Sequence, residues 1–340
     1  MTKDLSSLVP PGHVHIKGNI LDKGNIPGVD ADKASWAKGL NLPRTGEYVF
    51  FAGCGYQTMR YAEGMLRAAR GLEKAGVGME KGLSMSRAFK KVGVNLPGIT
   101  AKISSATVKD RYTAILTLSI KILQKLGVDL AYMHEEEPCC GSPLYYAGFV
   151  DEYREQATRN FEKFKSAGVK RLIGLVPACT ASLRDIYPQY VSGYDLEVEH
   201  FVKAVADRIG KLHNRPALKE KITVAYHDPC QLSRYLGLVE EPREVLAQIE
   251  GLELREPDAE QRGRWSTCCG GGGLEASNPH LAKRLGERRM EELLKTGASV
   301  IVSHCPACVM QLRSAAKGLK ADVQVLDFVD LLWQSLEDIE

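Results

Sequence analysis

The sequence predicts an α/β protein with two similar halves, each built on a small parallel sheet flanked by helices. Adjacent cysteine pairs occur twice, and the same interval of 39 positions separates Cys140 from Cys179 and Cys269 from Cys308. After each pair the sequence reads as a helix-forming stretch, a short gap with glycine and a β-branched run that leads to Pro-Ala-Cys. Strand and helix patterns that alternate in this way are typical of parallel sheets.

The elements follow the same order in both halves. Cys54 and Cys230 each end an apolar, strand-like run, and two further short apolar runs follow in each half. The predicted strands lie at 48–53, 172–176 and 198–202 in the first half and at 222–229, 300–302 and 325–329 in the second. Because ligands bind beside the carboxyl ends of parallel strands, we expect the cysteines to gather at one edge of each sheet.

The repeat also predicts the domain boundaries. We expect the first domain at 47–215 and the second at 216–340. Residues 1–46 precede the first strand and are interrupted by several prolines and glycines, so we expect an irregular arm that packs on the body or on another subunit.

The first half is expected to carry an insertion. Cys54 lies 85 positions before Cys139, whereas Cys230 lies only 38 positions before Cys268. Apolar residues recur at three- and four-residue spacing at 61–74 and 113–126, so the insertion, at about 60–125, is predicted to be helical. It is either a surface elaboration or a wall over the first group of cysteines.

The composition indicates a globular protein with a modest charge. The 340 residues are 44% hydrophobic with a net charge of +3, which suits two packed domains and provides no extended basic surface for nucleic acid. The amino terminus lacks the pattern of a secretory signal, and no apolar run approaches about 18 residues. We therefore expect a cytoplasmic chain without direct membrane insertion. A basic stretch is interpreted as a solvated helix face: Lys283, Arg284, Arg288 and Arg289.

The cysteines indicate thiolate-bound metal rather than disulfides. Nine is an odd number, and a reducing cytosol disfavours structural disulfides. Cys305 and Cys308 have the spacing of half a zinc site, but zinc takes four ligands and the second half offers five thiols. Soft ligands in this number favour iron and sulfur, with zinc as the alternative. The second group is Cys230, Cys268, Cys269, Cys305 and Cys308, and the first is Cys54, Cys139, Cys140 and Cys179.

Several neighbours of the cysteines have candidate roles. The glycine run at 270–273 is not followed by Gly-Lys-Ser/Thr, so it does not indicate a phosphate loop, and we expect its backbone amides to approach cluster sulfurs. His227 and His304 lie beside cysteines and either tune a cluster, relay protons or serve the fold. The acidic run at 135–137 is interpreted as a solvated turn.

This arrangement of cysteines resembles the CCG domain, the cysteine-rich domain that occurs twice in the B subunit of heterodisulfide reductase. The resemblance extends from Glu47 to the carboxyl terminus, and the second motif, C-x37-CC-x35-C-x2-C, lies within the usual spacing of the family. It implies two pseudo-symmetric Rossmann-like domains. Similar proteins include the D subunit of the membrane-bound heterodisulfide reductase and the iron-sulfur subunits of glycolate and lactate oxidoreductases, and all of them move electrons.

The resemblance also implies the cofactors. The five thiols of the second group match the ligands of a noncubane [4Fe-4S] cluster. In the first group, aligning Pro-Ala-Cys179 with Pro-Ala-Cys308 places Val176 where Cys305 stands, so one ligand is missing. The first group is therefore expected to hold a modified cluster with an open iron, a regular [4Fe-4S] cluster or zinc.

The function implied by the resemblance is that of the catalytic B-type subunit of a heterodisulfide reductase-like complex. Such a subunit reduces a disulfide or, in reverse, oxidises a thiol or a sulfur-carrying substrate, including one on a carrier protein. The complete second site is expected to be the catalyst. A ferredoxin-like C subunit and a flavin-containing A-type subunit are the implied partners, because the chain has no ferredoxin motif and no flavin or nicotinamide signature. The alternatives are an electron-transfer subunit of a flavin-dependent hydroxy-acid or quinone-linked oxidoreductase and a zinc-stabilised scaffold.

Overall fold

Two four-stranded parallel sheets form the centre of the molecule. The computed structural model describes residues 8–30, 32–74 and 106–337, so the middle of the expected insertion lies outside the described residues. The first sheet contains β1 (Tyr48–Phe51), β2 (Ala131–Tyr132), β3 (Arg171–Gly174) and β4 (Glu197–His200). The second contains β5 (Ala217–Tyr226), β6 (Glu250–Leu254), β7 (Val300–Ser303) and β8 (Gln324–Asp327).

The two sheets have the same topology. Their strand orders are β2-β1-β3-β4 and β6-β5-β7-β8, and every pairing is parallel. Phe50 pairs with Ile173 in the first sheet, and Tyr226 pairs with Val302 in the second, so the repeat read from the sequence is also a repeat of register. The predicted pair of α/β halves is confirmed.

Helices cover the sheets in both halves. The first half contains α1 (Pro11–Lys23), α2 (Gly53–Lys74), α3 (Ala106–Lys125), α4 (Ser142–Tyr146), α5 (Val150–Ser166), α6 (Pro177–Ala181), α7 (Tyr187–Tyr190) and α8 (Phe201–Ile209). The second contains α9 (Glu240–Ala247), α10 (Leu274–Ser277), α11 (Pro279–Leu294), α12 (Pro306–Leu319) and α13 (Phe328–Leu336). Two π-helical turns, Ser182–Ile186 and Gln231–Tyr235, follow Cys179 and Cys230. Such turns occur frequently at functional sites.

The amino-terminal arm is not irregular throughout, which corrects the expectation from its prolines. Pro11 stands at the start of α1, where a missing amide hydrogen costs nothing, and Gly24 ends the helix in the left-handed conformation. The arm packs on the body: α1 contacts α10 of the second half and α4 of the first. It therefore spans both halves beside their cysteine-bearing segments.

The two halves pack through the helices that follow their first and third strands. The α2 helix of the first half packs on α12 of the second, and α6 packs on the π-helical turn after Cys230. Across the same junction the buried Tyr56 hydroxyl donates a hydrogen bond of 2.7 Å to Asp327 Oδ2. The cysteine-bearing ends of both sheets thus lie at the junction between the halves.

Candidate metal centres

All nine cysteines lie on loops or helix starts that follow strands, and they form two groups. In the first half, Cys54 follows β1 at the start of α2, and Cys179 follows β3 in α6. In the second half, Cys230 follows β5, and Cys305 is the residue that caps α12 after β7. The two adjacent pairs lie on the loops after β2 and β6. All nine thiols are free of disulfides.

The first group is buried and consists of four thiols in mutual contact. Cys54 Sγ lies 3.8 Å from Cys139 Sγ, and Cys140 contacts both Cys139 and Cys179. All four side chains are buried. The packing leaves no thiol of this group open to solvent.

The second group contains five thiols and is partly open. Cys269 Sγ lies 3.1 Å from Cys308 Sγ, and further contacts join Cys230 to Cys268 and Cys305 to Cys308. Cys269 and Cys308 are buried, whereas the other three are only half-buried: Cys230, Cys268 and Cys305. These three residues are the more exposed members of the group.

The first cysteine of each pair is the most acidic thiol of its pair. Hydrogen bonds from the Cys140 and Cys54 thiols lower the pKa of Cys139 well below the ordinary value of a thiol. At the second site, hydrogen bonds from Cys230 and Cys269 lower the pKa of Cys268 to about 2. Thiolate, not thiol, is the metal-binding form, so both groups are predisposed to bind metal.

The glycine run brings backbone amides to the second group, as expected. Gly270 N and Gly271 N donate hydrogen bonds of 3.4 and 3.3 Å to Cys268 Sγ and Cys269 Sγ. Gly270 has a φ of 80°, and a Cβ there would lie 2.2 Å from the carbonyl oxygen of Ala282. Only glycine permits this turn, and its amides favour negatively charged sulfur.

Val176 occupies the position of Cys305 in the first half. Each residue caps a helix that starts with Pro-Ala-Cys, and each has an extended backbone. The side chain of Val176 is buried against the start of α2: a Cβ on Gly53 would lie 3.0 Å from its Cγ2 and 3.1 Å from Cys179 Sγ. The structure therefore places an apolar side chain beside the first group where the second group has its fifth thiol.

Glu137 corrects the interpretation of the acidic run. Glu135 and Glu136 are exposed, but Glu137 is buried and accepts hydrogen bonds from the amides of Ala52 and Gly53 at 2.7 and 2.9 Å. Burial raises the pKa of Glu137 to about 8, although these amides oppose the rise. Glu137 thus fixes the turn that carries Cys54. The only indication of this role in the sequence was the position of Glu137 two residues before the cysteine pair.

The arm also reaches the first group. The pKa of Cys54 is raised, chiefly by its contact with Cys139 and by burial, and the backbone amide of Ile26 opposes this by hydrogen bonding to the thiol. Lys33 Nζ donates a hydrogen bond of 2.9 Å to the carbonyl oxygen of Glu137. The arm is therefore part of the wall of the first group.

Arg289 corrects the interpretation of the basic stretch. It is 0% exposed, whereas Lys283, Arg284 and Arg288 are exposed. Its Nε donates a hydrogen bond of 3.0 Å to Nδ1 of His227. The burial of Arg289 could have been predicted from the sequence, because Arg289 falls on the buried stripe of α11 together with Ala282, Gly286 and Leu293.

The two histidines beside the second group are both buried. A ring nitrogen of His227 lies within 4.8 Å of the sulfurs of Cys269 and Cys308. His304 stacks on Phe201, with 5.4 Å between ring centroids, and its Nδ1 lies 3.5 Å from Asp327 Oδ1 at the junction of the halves.

The donor set fits an iron-sulfur centre. Converging thiols, acidified cysteines and amides directed at sulfur are what a cluster with sulfur ligands requires. Four thiols in the first group also satisfy the ligand count of zinc.

The fold and these sites define a protein with two cysteine-rich α/β domains, and the comparison with known families agrees. The CCG cysteine-rich domain matches twice, at residues 105–184 and 224–313. The chain belongs to this family.

Similar proteins include iron-sulfur oxidoreductases. The D subunit of dihydromethanophenazine:CoB--CoM heterodisulfide reductase from Methanosarcina barkeri is 34% identical over 66% of this chain and 55% of its own length. EtfAB:quinone oxidoreductase from Syntrophomonas wolfei is 29% identical over 67% of this chain and 33% of its own length. A probable iron-sulfur-binding oxidoreductase, FadF, from Bacillus subtilis is 33% identical over 64% of this chain and 30% of its own length.

The chain thus spans about half, or less, of the curated relatives that it matches. Among the described residues, no helix has both the length and the apolar character needed to cross a membrane.

Proposed function

We propose that this chain is the catalytic B-type subunit of a heterodisulfide reductase-like complex, which reduces a disulfide or oxidises a thiol or sulfur-carrying substrate in the reverse direction. The observation that carries the proposal is the half-burial of Cys230, Cys268 and Cys305 in a group of five converging thiols. A site that only transfers electrons can be closed, whereas a site that reacts with a substrate must be open to it.

Exposed aromatic side chains lie on or contact the segments that carry the half-buried cysteines. Tyr235 is 52% exposed and belongs to the turn after Cys230, and Trp265 is 77% exposed three residues before Cys268. The ring of Tyr146 lies 5.7 Å from that of Tyr235, and its hydroxyl donates a hydrogen bond of 3.1 Å to Gln231 Oε1. Exposed aromatic groups beside a half-open thiol site provide a surface for the organic part of a disulfide.

The thiols would hold the cofactor. The second group would bind a noncubane [4Fe-4S] cluster through Cys230, Cys268, Cys269, Cys305 and Cys308. The first group would bind a modified or regular [4Fe-4S] cluster, or zinc, through Cys54, Cys139, Cys140 and Cys179. A bound cluster supplies one-electron redox chemistry. The acidified Cys268 and the amides of the glycine run would stabilise the negative charge of the ligand set.

The overall reaction requires an outside source of electrons. Reduction of a disulfide consumes two electrons and two protons and releases two thiols. All nine cysteines of the chain belong to the two groups, so none remains for a third centre. We therefore assign electron supply to a ferredoxin-like C subunit and, beyond it, a flavin-containing A-type subunit, in the cytoplasm or at a membrane to which a partner attaches the complex.

Disulfide turnover by the isolated chain tests the proposal. The anaerobically purified protein, with reduced viologen as electron donor, should reduce a small disulfide and consume two electrons for each pair of thiols formed. Tyr235→Ala should raise the KM for the disulfide severalfold and change kcat little, because the exposed ring would contact the substrate without holding the metal. A brown, iron-containing protein without this activity would contradict the proposal, and a colourless zinc protein would indicate the scaffold instead.

The second candidate is an electron-transfer subunit of a flavin-dependent hydroxy-acid or quinone-linked oxidoreductase. The complete burial of the first group favours it, because a closed centre can exchange electrons but cannot receive a substrate. The similarity to EtfAB:quinone oxidoreductase agrees with it. Rapid reduction of the clusters by a reduced flavoprotein, without disulfide turnover, would support this candidate.

A further inference from the structure

We propose that His227, held by Arg289, is a positioning residue that directs an Nε2–H donor at the cysteine sulfurs of the second site and thereby raises the reduction potential of the centre bound there. The inference rests on the proposed iron-sulfur centre but assigns a role to residues that are not among its ligands.

Arg289 fixes the proton of the imidazole. The Nε of a guanidinium always carries hydrogen, so the 3.0 Å contact with His227 Nδ1 requires that nitrogen to be the acceptor. A neutral imidazole that accepts at Nδ1 carries its hydrogen on Nε2. Arg289 is itself held in place, because Nη1 donates to the carbonyl of Gln261 at 2.7 Å and to Glu292 Oε2 at 3.0 Å.

The contact with Arg289 also keeps His227 neutral, because Nδ1 must be unprotonated to accept this hydrogen bond. Glu292 balances the arginine charge and also accepts a hydrogen bond of 2.9 Å from Thr267, the residue before Cys268. A continuous set of contacts therefore leads from the cysteine pair through Glu292 and Arg289 to His227.

The Nε2 donor of His227 is buried without a hydrogen-bond partner among the described residues. Such burial is costly unless a ligand supplies a partner. A ring nitrogen of His227 and the sulfurs of Cys269 and Cys308 all lie within 4.8 Å of one another. Because Arg289 occupies Nδ1, Nε2 is the nitrogen left to face these sulfurs, and a donor there would favour the more negative, reduced state of a bound centre.

The first site lacks this pair. By the register of the two sheets, Phe51 stands where His227 does, and the repeat of the cysteine motifs places Asn160 at the position of Arg289. Asn160 instead donates a hydrogen bond of 2.7 Å to the carbonyl of Cys139. The imidazole donor is thus specific to the second site.

Two substitutions distinguish the effect of losing the Nε2 donor from the effect of losing the volume of the ring. In His227→Asn the amide oxygen can still accept from Arg289, but nothing replaces Nε2. In His227→Gln the amide nitrogen reaches the position of Nε2, so the donor toward the sulfurs is retained. Both variants should keep the iron and sulfide content of the parent protein.

The readout is a redox titration of the second-site cluster followed by electron paramagnetic resonance. At a fixed solution potential, His227→Asn should lower the ratio of reduced to oxidised centre by about tenfold, which corresponds to the loss of one hydrogen bond to a charged group. The ratio in His227→Gln should stay within about threefold of that in the parent. Equal potentials in all three proteins would overturn the inference while leaving the proposed function intact. Loss of iron in both variants would also overturn it, because His227 would then be a ligand. A parent protein that binds no cluster would instead refute the proposed function.

Discussion

The two cysteine sites occupy equivalent places on equivalent sheets, yet their surroundings differ in a consistent direction. Where the second site has Cys305, the first has Val176, and where the second has the buried His227, the first has Phe51. The first group is closed to solvent, and three of the five thiols of the second are half-open. Both sites therefore keep the adjacent cysteine pair, but only the second has a fifth thiol, and it is the more accessible of the two.

What the sites share is as informative as what separates them. In both, the first cysteine of the pair has a lowered pKa, and its partners are the cysteine after the first strand and the second cysteine of the pair. This common part predisposes both sites to bind metal. The differing part is therefore expected to decide which site reacts with substrate.

Removing the acidic thiol of each site should have the largest effect. Cys268→Ser should abolish disulfide reduction, by more than about a hundredfold, because it removes both a ligand and the thiol whose pKa is lowest at the open site. Iron analysis and viologen-linked turnover are the measurements.

Cys139→Ser is the matched variant at the closed site. It should also release metal, but it should leave a measurable part of the disulfide activity, because substrate does not enter there. Complete loss of activity with an intact second-site signal would show that both sites take part in the reaction.

Adding a fifth thiol to the first site should make it resemble the second. Val176→Cys places a thiol at the helix cap that Cys305 occupies, and the small apolar residue should be replaced at a cost below about 1.5 kcal/mol. We expect the electron paramagnetic resonance signal of the first site to become similar to that of the second. An unchanged signal and iron content would mean that the surrounding side chains, and not the missing ligand, distinguish the sites.

The junction between the halves should contribute to stability through Tyr56. Tyr56→Phe leaves the buried carboxylate of Asp327 without one donor and should lower the free energy of unfolding by about 1–3 kcal/mol in chemical denaturation. Tyr226→Phe is the control, because the Tyr226 hydroxyl is buried without a hydrogen-bond partner among the described residues. Equal losses in the two variants would show that the Tyr56 hydrogen bond contributes nothing specific.

Stability should also depend on pH through the same junction. Burial raises the pKa of Asp330 from 3.8 to about 7, and the charge of Asp327 contributes. A raised pKa stabilises the fold below the unfolded value, and this contribution is lost as the pH rises toward 7. Asp330→Asn should therefore gain stability over the parent by about 1 kcal/mol per pH unit between pH 4 and 7. A constant difference across this range would rule out Asp330 as the titrating group.

The architecture could be predicted from the sequence because the spacing of the cysteine motifs aligns the strands of the two halves. Equal spacing from each pair to Pro-Ala-Cys indicated equivalent strands, and the paired residues Phe50 with Ile173 and Tyr226 with Val302 agree with it. Glu137 and Arg289 looked like members of charged, solvated stretches, although both are buried beside a cysteine segment. Helical periodicity could have placed Arg289 on the buried stripe of α11, but no local pattern shows that Glu137 turns inward.

Neither the helix in the amino-terminal arm nor the exposure of the individual cysteines could be predicted from local sequence. Prolines suggested an irregular segment, but Pro11 is compatible with the first turn of a helix. No spacing rule distinguishes a half-buried cysteine from a buried one, because exposure depends on how the two halves pack.

The most direct way to find which site binds substrate is to look for an electron paramagnetic resonance signal that depends on thiol. The anaerobically purified protein should be oxidised in the presence of a candidate thiol, and the parent should be compared with Cys268→Ser and Cys139→Ser after iron, sulfide and zinc have been quantified. We expect a signal that appears only with thiol, persists in Cys139→Ser and is absent from Cys268→Ser. A thiol-dependent signal that survives Cys268→Ser and disappears in Cys139→Ser would contradict this expectation, because the closed site would then be the one that binds substrate.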